Sequence, residues 1–438
     1  MTRRITRRTA LKAAIGFSAP FVLRHHAYAF PSETVRHASF GGGGQAWSDI
    51  GSLTAHRGLH LVAVADVDTS RHARIRQRFP EAHLYQDWRE LLDRERDLQS
   101  ANISTPDHMH GTITMRAMQR GLNVYTQKPL TQTIHEARAL ARVARERRLV
   151  SQMGIQIHSH QVHKTVVATV QAGTIGRVRE VHSWSNKTWG DRNPRPDRTD
   201  PVPATLDWNK WLGVAAERPF LGGEYYHPAN WRKRLDFGTG TFGDMGCHIL
   251  DPVFTSLALS SPRTVRSTGG SANADNWGLD SHVTYVFPQT MHTTETLTLH
   301  WYDGTAKPPA EMRQRIGGAA FSDQGSIYVG TDGVLYSPYI DTPRLFPVER
   351  FRDHRLPQVA GEDHYRQFVE ACLGNGRTSA PFDYSGPLTE SVLLGCLSTR
   401  FHDTTLAFDS ANLRFTDNDA ATRLVRRAPR TGWETEGL

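Results

Sequence analysis

Cysteine is scarce in this chain of 438 residues, with only Cys247, Cys372 and Cys396 present. An odd count at that spacing makes neither a disulfide framework nor a metal knuckle, and all three are read as reduced, buried thiols. Long apolar runs are lacking as well. The run Ala13 to Leu23 is about half of the ~20 residues a membrane-spanning helix needs, so no membrane anchor is expected. Acid is absent from the first 29 residues, which hold Arg3, Arg4, Arg7, Arg8, Lys12 and Arg24. Without those six, 46 basic residues face 44 acidic ones, and the formal charge of +8 shrinks to +2. The basic-patch argument for nucleic acid lapses with it. Internal repeats and low-complexity tracts are also missing, which excludes solenoids and arrays.

The acid-free start has its own pattern. Thr6-Arg7-Arg8-Thr9-Ala10-Leu11-Lys12 resembles a twin-arginine signal, and Ala27-Tyr28-Ala29 places small residues where a signal peptidase reads. Residues 1–29 are therefore expected to be a signal peptide, and the protein periplasmic or secreted, exported already folded. The remaining length calls for two domains.

Strand and helix patterns alternate in the first half. Val35 to Phe40 reads as a strand running into Gly41-Gly42-Gly43-Gly44-Gln45-Ala46. With Gly41, Gly43 and Ala46 at the special positions, and Gly44 beside them, this is the G-x-G-x-x-A form of a dinucleotide fingerprint. Four glycines alone also describe a plain flexible loop. A second strand, Leu59 to Ala65, ends at Asp66, 20 residues beyond Ala46, where an acid accepts hydrogen bonds from an adenosine ribose. Capping of the next helix is the competing role, and Asp68 can also fill it. A carboxylate there disfavours a 2′-phosphate, so NAD is expected over NADP, a preference that nearby Arg71 moderates.

Further strands end in Thr105-Pro106-Asp107-His108-Met109-His110 and in Gln127-Lys128-Pro129. Ligands of parallel sheets lie beyond the carboxyl ends of the strands, which makes Thr105, Pro106, His108, His110, Gln127 and Lys128 candidate cofactor contacts. Lys128 stands out, because a lysine at the end of a buried strand is costly without a partner or a task. The fold class expected is α/β. A Rossmann dinucleotide-binding domain spans residues 34–152, and an α/β domain with a large, mostly antiparallel open sheet spans 153–438.

In the second half, alternating strands from Val178 onward surround a Pro- and aromatic-rich insert, Asn193 to Arg234, which is expected to be ordered over a pocket. A glycine-rich turn then opens a helix carrying Asp244 and His248 four residues apart, on one face, with Asp251 near it. An imidazole oriented by a carboxylate is a general base, and a helix cap with a core histidine is the plainer alternative. Trp231 and Arg232 are candidates for holding a sugar, against simple packing of the insert. His158, His160 and His163 form a polar cluster beside the substrate pocket, and no metal is expected.

Taken together, these segments resemble the Gfo/Idh/MocA oxidoreductases. The similarity is carried by Gly41 to Ala46, Val64-Ala65-Asp66-Val67-Asp68, Thr105 to His110, Gln127-Lys128-Pro129, Gly173-Thr174-Ile175-Gly176 and Gly243 to Asp251. Trp208 to Gly213 and Asn230-Trp231-Arg232 resemble an exported branch of that family. The resemblance implies a homodimer or homotetramer formed through the open sheet. It places Lys128 between nicotinamide and the reacting hydroxyl, His248 as acid/base with Asp244 orienting it, and His158 where many relatives carry arginine. Gln127 stands where the family has glutamate. The expected activity is an NAD(P)-dependent oxidation or reduction of a sugar, glycoside or polyol with a tightly bound cofactor. A redox-neutral glycosidase or lyase working through a transient keto-sugar is one alternative, and a non-catalytic sugar-binding protein is another.

Overall fold

The structure, a computed structural model, describes residues 34–438, so the expected signal peptide lies outside the described residues. Six strands form the first sheet: β1 (Val35–Phe40), β2 (Leu59–Ala65), β3 (His83–Tyr85), β4 (Ser100–Ile103), β5 (Asn123–Gln127) and β6 (Ser151–Gly154). Their order is β3-β2-β1-β4-β5-β6, and every pair is parallel. The order reverses between β1 and β4, which is where a doubly wound sheet opens its ligand crevice. β1, β4, β5 and β6 are almost wholly buried, as expected of parallel strands covered on both faces. The helix after β5, Ile134–Glu146, starts with a capping box in which Thr133 and Glu136 bond each other's backbone N–H.

The second sheet has nine strands: β7 (Val178–Ser185), β8 (Thr264–Gly269), β9 (Ser281–Pro288), β10 (Thr293–Asp303), β11 (Gln324–Gly330), β12 (Val334–Ser337), β13 (Arg344–Phe346), β14 (Thr405–Asp409) and β15 (Arg414–Phe415). Their order is β13-β12-β11-β7-β10-β9-β8-β14-β15. All neighbours are antiparallel except β7 and β10, which run parallel. Period-2 burial along β9 shows one face packed and the other half open. The Gly240–Leu257 helix lies on the packed face, where Phe242 stacks on Trp301 with ring centroids 4.5 Å apart.

The chain does not leave its first half behind. The Phe382–Ser398 helix packs on Ile134–Glu146, with Glu390 bidentate on Arg138. Arg427 reaches back to Glu136, to Gln132 and to the carbonyl of His108. Among the described residues no helix is long and apolar enough to cross a membrane. Cys247 and Cys396 are buried, whereas Cys372 is partly exposed because it ends the surface helix His364–Cys372.

Three buried histidines stitch this architecture. His37 lies between Ser100 Oγ (2.7 Å) and Asn102 Oδ1 (2.9 Å), joining β1 to β4. His364 lies between Ser159 Oγ and the Met153 carbonyl, and His108 meets the Trp211 carbonyl at 3.0 Å. Burial lowers the pKa of His37 and His364 from 6.5 to about 4, and burial with the Arg427 charge lowers His108 to about 3. The unfolded chain thus takes up protons that the folded one refuses, so stability is full above pH 6.5 and falls as the pH drops toward 4. Urea denaturation at about pH 7.5 and about pH 5 is expected to show a loss of up to roughly 2 kcal/mol per histidine at the lower pH, and replacing His37 by Gln should flatten that slope.

Candidate functional site

At the switch point the backbone turns sharply after Phe40. Gly41 has φ +107°, and a Cβ there would sit 2.7 Å from the Ser104 carbonyl and 2.9 Å from the Ala46 methyl. This is why the loop needs glycine at Gly41 and a small residue at Ala46. The Gly44–Leu53 helix opens directly from the loop, so its free N–H groups face the crevice. Asp66, at the end of β2, accepts the Gly42 N–H at 2.8 Å and the Asp68 N–H at 2.9 Å. Capping falls instead to Asp68, which accepts from Ser70 at 3.1 Å. Asp66 is left facing the crevice.

A cavity of about 340 Å³ lies there. Gly41, Gly43, Gly44, Asp66, Arg71, Thr105 and Pro106 line one side, and Lys210, Trp211, His227, Trp231 and Arg232 of the insert line the other. The insert is built on its own aromatic core, including Trp211, Phe220, Tyr226 and Trp231. It is also pinned to the nucleotide half. Thr69 N–H donates to the Thr205 carbonyl (2.9 Å), Asp207 N–H to Val67 (3.0 Å), and His227 Nε2 lies 3.1 Å from Asp68. Trp231 is buried with its indole N–H on the Pro228 carbonyl, so it is both packing and wall.

The two histidines among the expected cofactor contacts lie elsewhere. The helix after β4 begins at Asp107, right behind Pro106, which carries His108 away from the crevice into the core against Trp211 and Phe237. His110 also turns inward, its Nδ1 and Nε2 each 2.8 Å from a carbonyl, of Pro129 and Thr105 respectively. It ties the two turns together from behind.

The Lys128-Pro129 turn meets the second half directly. Lys128 Nζ is 2.6 Å from Asp244 Oδ1 and 2.9 Å from the Asp244 carbonyl. Arg232 Nε lies 3.5 Å from the same carboxylate oxygen, with its guanidinium 4.3 Å over the Trp231 ring. Burial opposes ionisation of Asp244, but Lys128 and Arg232 outweigh it and hold its pKa down to about 2. The expectation that Asp244 orients His248 is therefore corrected: the carboxylate is taken by two cations, and the Nδ1 of His248 is enclosed without a partner. Burial and the Lys128 charge push His248 down to about 3, so it is held as a neutral imidazole.

One turn further along the same helix, Asp251 accepts from His158 Nδ1 at 2.8 Å and from the Tyr384 hydroxyl at 2.5 Å, and lies 3.6 Å from His163. Burial works against the charge on His158, but Asp251 outweighs it and raises the pKa. His248 thus sits between two ion pairs on one helix face. Arg232 belongs to both the cavity and this cluster, and so joins the nucleotide crevice to the acid–base group.

Gln127 is turned toward the helix that follows the glycine loop. Its amide Nε2 donates to both oxygens of Asp49, at 3.0 and 2.9 Å, and its side chain lies against Gly154 rather than in the cavity. Asp49 also accepts from Gln45, Ser104 and Tyr365, at 2.8, 2.7 and 2.8 Å. Burial raises its pKa, and these four donors work against that shift. The amide here stands on the strand and the carboxylate on the neighbouring helix. Sequence reading missed Asp49, whose one available signal was its place four residues after Gln45 on an otherwise apolar helix face.

A family model described as "Oxidoreductase family, NAD-binding Rossmann fold" matches residues 35–155, and its companion, "Oxidoreductase family, C-terminal alpha/beta domain", matches 158–292. The chain is 33% identical to dTDP-3,4-didehydro-2,6-dideoxy-alpha-D-glucose 3-reductase of Streptomyces antibioticus over 149 residues, 33% of this chain and 45% of that protein. It is 21% identical to scyllo-inositol 2-dehydrogenase (NADP(+)) of Bacillus subtilis over 62% of each. The chain thus spans less than two thirds of these relatives' lengths. The WlbA dehydrogenase of Chromobacterium violaceum, solved with NADH and UDP-GlcNAcA, superposes with a TM-score of 0.63 at 15% identity, covering 86% of this chain and 97% of that one. At that identity the likeness concerns the fold.

Gln127→Glu would set a second acid against Asp49 and remove its amide donor. The expected loss is about 1–3 kcal/mol in urea denaturation. Adding Asp49→Asn should restore most of it by exchanging acid and amide; a double variant weaker than Gln127→Glu alone would refute the pairing.

Proposed function

The chain belongs to the Gfo/Idh/MocA oxidoreductase family, and from that premise we propose that it moves hydride between a hydroxyl-bearing carbon of a sugar, glycoside or polyol and a retained nicotinamide cofactor. One observation carries this reading: Lys128 is ion-paired across the seam to Asp244, beside neutral His248, and Arg232 links that group to a cavity rimmed by the glycine loop.

Gly41, Gly43, Asp66 and the helix N-terminus at Gly44 fit a dinucleotide, because Gly41 leaves no room for a Cβ and Asp66 faces the crevice. Bound there, the nicotinamide would supply hydride acceptance. The chain's own groups do the rest. The ammonium of Lys128, fixed by Asp244, hydrogen-bonds the reacting hydroxyl and stabilises the charge that develops on its oxygen. His248 takes the hydroxyl proton on a ring nitrogen. Asp244 is a clamp for Lys128. The His158–Asp251 pair and the Trp231–Arg232 edge hold the remaining hydroxyls. Asp66 favours NAD, while Arg71 in the same wall of the cavity keeps NADP in contention.

The insert, bonded to the Val67–Thr69 backbone, supports a cofactor that is recycled in place. That same roof favours a second reading, the redox-neutral glycosidase or lyase, which needs the reduced cofactor to stay until hydride returns. For localisation and assembly we propose export by the twin-arginine route and a homodimer or homotetramer through the half-open sheet face. Support for the first is the pattern of residues 1–29; for the second, it is the exposure along β9 and β10.

Denaturing the purified protein is expected to release about one NAD or NADP per chain into the supernatant. Lys128→Met and His248→Ala should each lower turnover at least about 100-fold with nucleotide content largely kept. A chain that neither carries nor binds nucleotide sinks both enzymatic readings. Oxidised sugar or reduced cofactor accumulating supports the first reading, whereas aglycone release from aryl glycosides at constant NAD supports the second.

A further inference from the structure

On the opposite face of the nine-stranded sheet from the Gly240–Leu257 helix, three side chains converge that the acid–base cluster does not use. β7 and β10 run parallel with His182 beside His300 in register. Glu180 is two residues before His182 and so shares its face. Glu180 Oε1 lies 2.9 Å from His182 Nε2 and 3.5 Å from His300 Nε2, and one ligand atom from each residue falls within 4.8 Å of the others. The two imidazoles stack, with centroids 4.7 Å apart and planes 12° from parallel, so both present their Nε2 edges in one direction.

The far nitrogens are held too. His182 Nδ1 is 3.0 Å from the Tyr302 hydroxyl, and His300 Nδ1 is 3.2 Å from both Thr284 Oγ1 and His282 Nε2. Such outer partners orient an imidazole, and where they accept from its Nδ1–H the Nε2 is left as the lone-pair donor. Ligands about 2.0–2.1 Å from a tetrahedral zinc ion stand roughly 3.3 Å from one another, and the two distances from the Glu180 oxygen bracket that spacing.

We propose that Glu180, His182 and His300 bind one divalent transition-metal ion of the zinc class on the outer face of this sheet. Two imidazoles and one carboxylate suit Zn²⁺ or Co²⁺ and not the all-oxygen shells of Mg²⁺ or Ca²⁺. Three protein ligands leave a fourth position open to water or to a donor from outside the chain. The metal would cross-link β7 and β10, the only parallel neighbours in the nine-stranded sheet. The ordinary alternative is a hydrogen-bonded trio in which both imidazoles donate to Glu180.

The test uses the full chain without an affinity tag, stripped with a chelator and titrated with ZnCl₂ and, separately, CoCl₂. One equivalent of Zn²⁺ is expected to survive gel filtration, and Co²⁺ should give the visible absorption of a low-coordinate nitrogen–oxygen site. His300→Gln and Glu180→Gln, both at half-buried positions, should each weaken Zn²⁺ binding at least about tenfold, while the metal-free melting temperature and nucleotide content stay as in the parent. His182→Ala should do the same if it folds. Failure to retain Zn²⁺, or equal retention by folded His300→Gln and Glu180→Gln, would overturn the proposal.

Discussion

The ion pair between Lys128 and Asp244 is the constraint on which the site depends. Each partner is a side chain that burial alone would penalise, and each is affordable because the other is there. Lys128 directly follows a strand of the first sheet, and Asp244 rides a helix that lies on the second. Two halves of the chain are thereby registered at one bond of 2.6 Å. The pair also sets the electrostatics around it. The Lys128 charge, added to burial, keeps His248 neutral, and the opposing pull of Asp244 on the imidazole is outweighed.

Around that bond the molecule separates positioning from chemistry. The crevice at the strand-order reversal is shaped by backbone, with Gly41 against the Ser104 carbonyl, and is walled on its far side by the aromatic insert. The acid–base group is shaped by charge, two ion pairs flanking one uncharged ring. Arg232 stands in both. A change there would be felt at once as altered cavity shape and altered balance on Asp244.

Much of this was legible in the sequence, because local rules suffice for it. The glycine loop, Asp66 at a strand end, the lysine before Pro129 and the parallel order of the first sheet follow from turn chemistry and alternation of strand and helix. The rest depends on distance through space. Asp49 reads as an ordinary helix residue until Ser104, Gln127 and Tyr365 arrive from three other segments. The spacing of Asp244 and His248 suggested a pair, yet a lysine over a hundred positions away competes better for the carboxylate. His108 looked like part of the turn after a strand, but the helix already starts at Asp107 and turns the ring into the core. Glu180 and His300 become neighbours only when the register of β7 on β10 is known, and a parallel pair inside an antiparallel sheet gives no local sign of itself.

The return of the chain's end to its beginning bears on how the protein is made. Tyr365 completes the shell of Asp49, Glu390 holds Arg138, and Arg427 fastens the carbonyl of His108 to Glu136. A ribosome that has synthesised only the nucleotide-binding half has therefore produced a sheet whose buried acid still lacks a donor and whose covering helices still lack their braces. The order of synthesis runs against the order of closure. Bracing of the nucleotide-binding half is accordingly left to side chains made much later, Tyr365, Glu390 and Arg427.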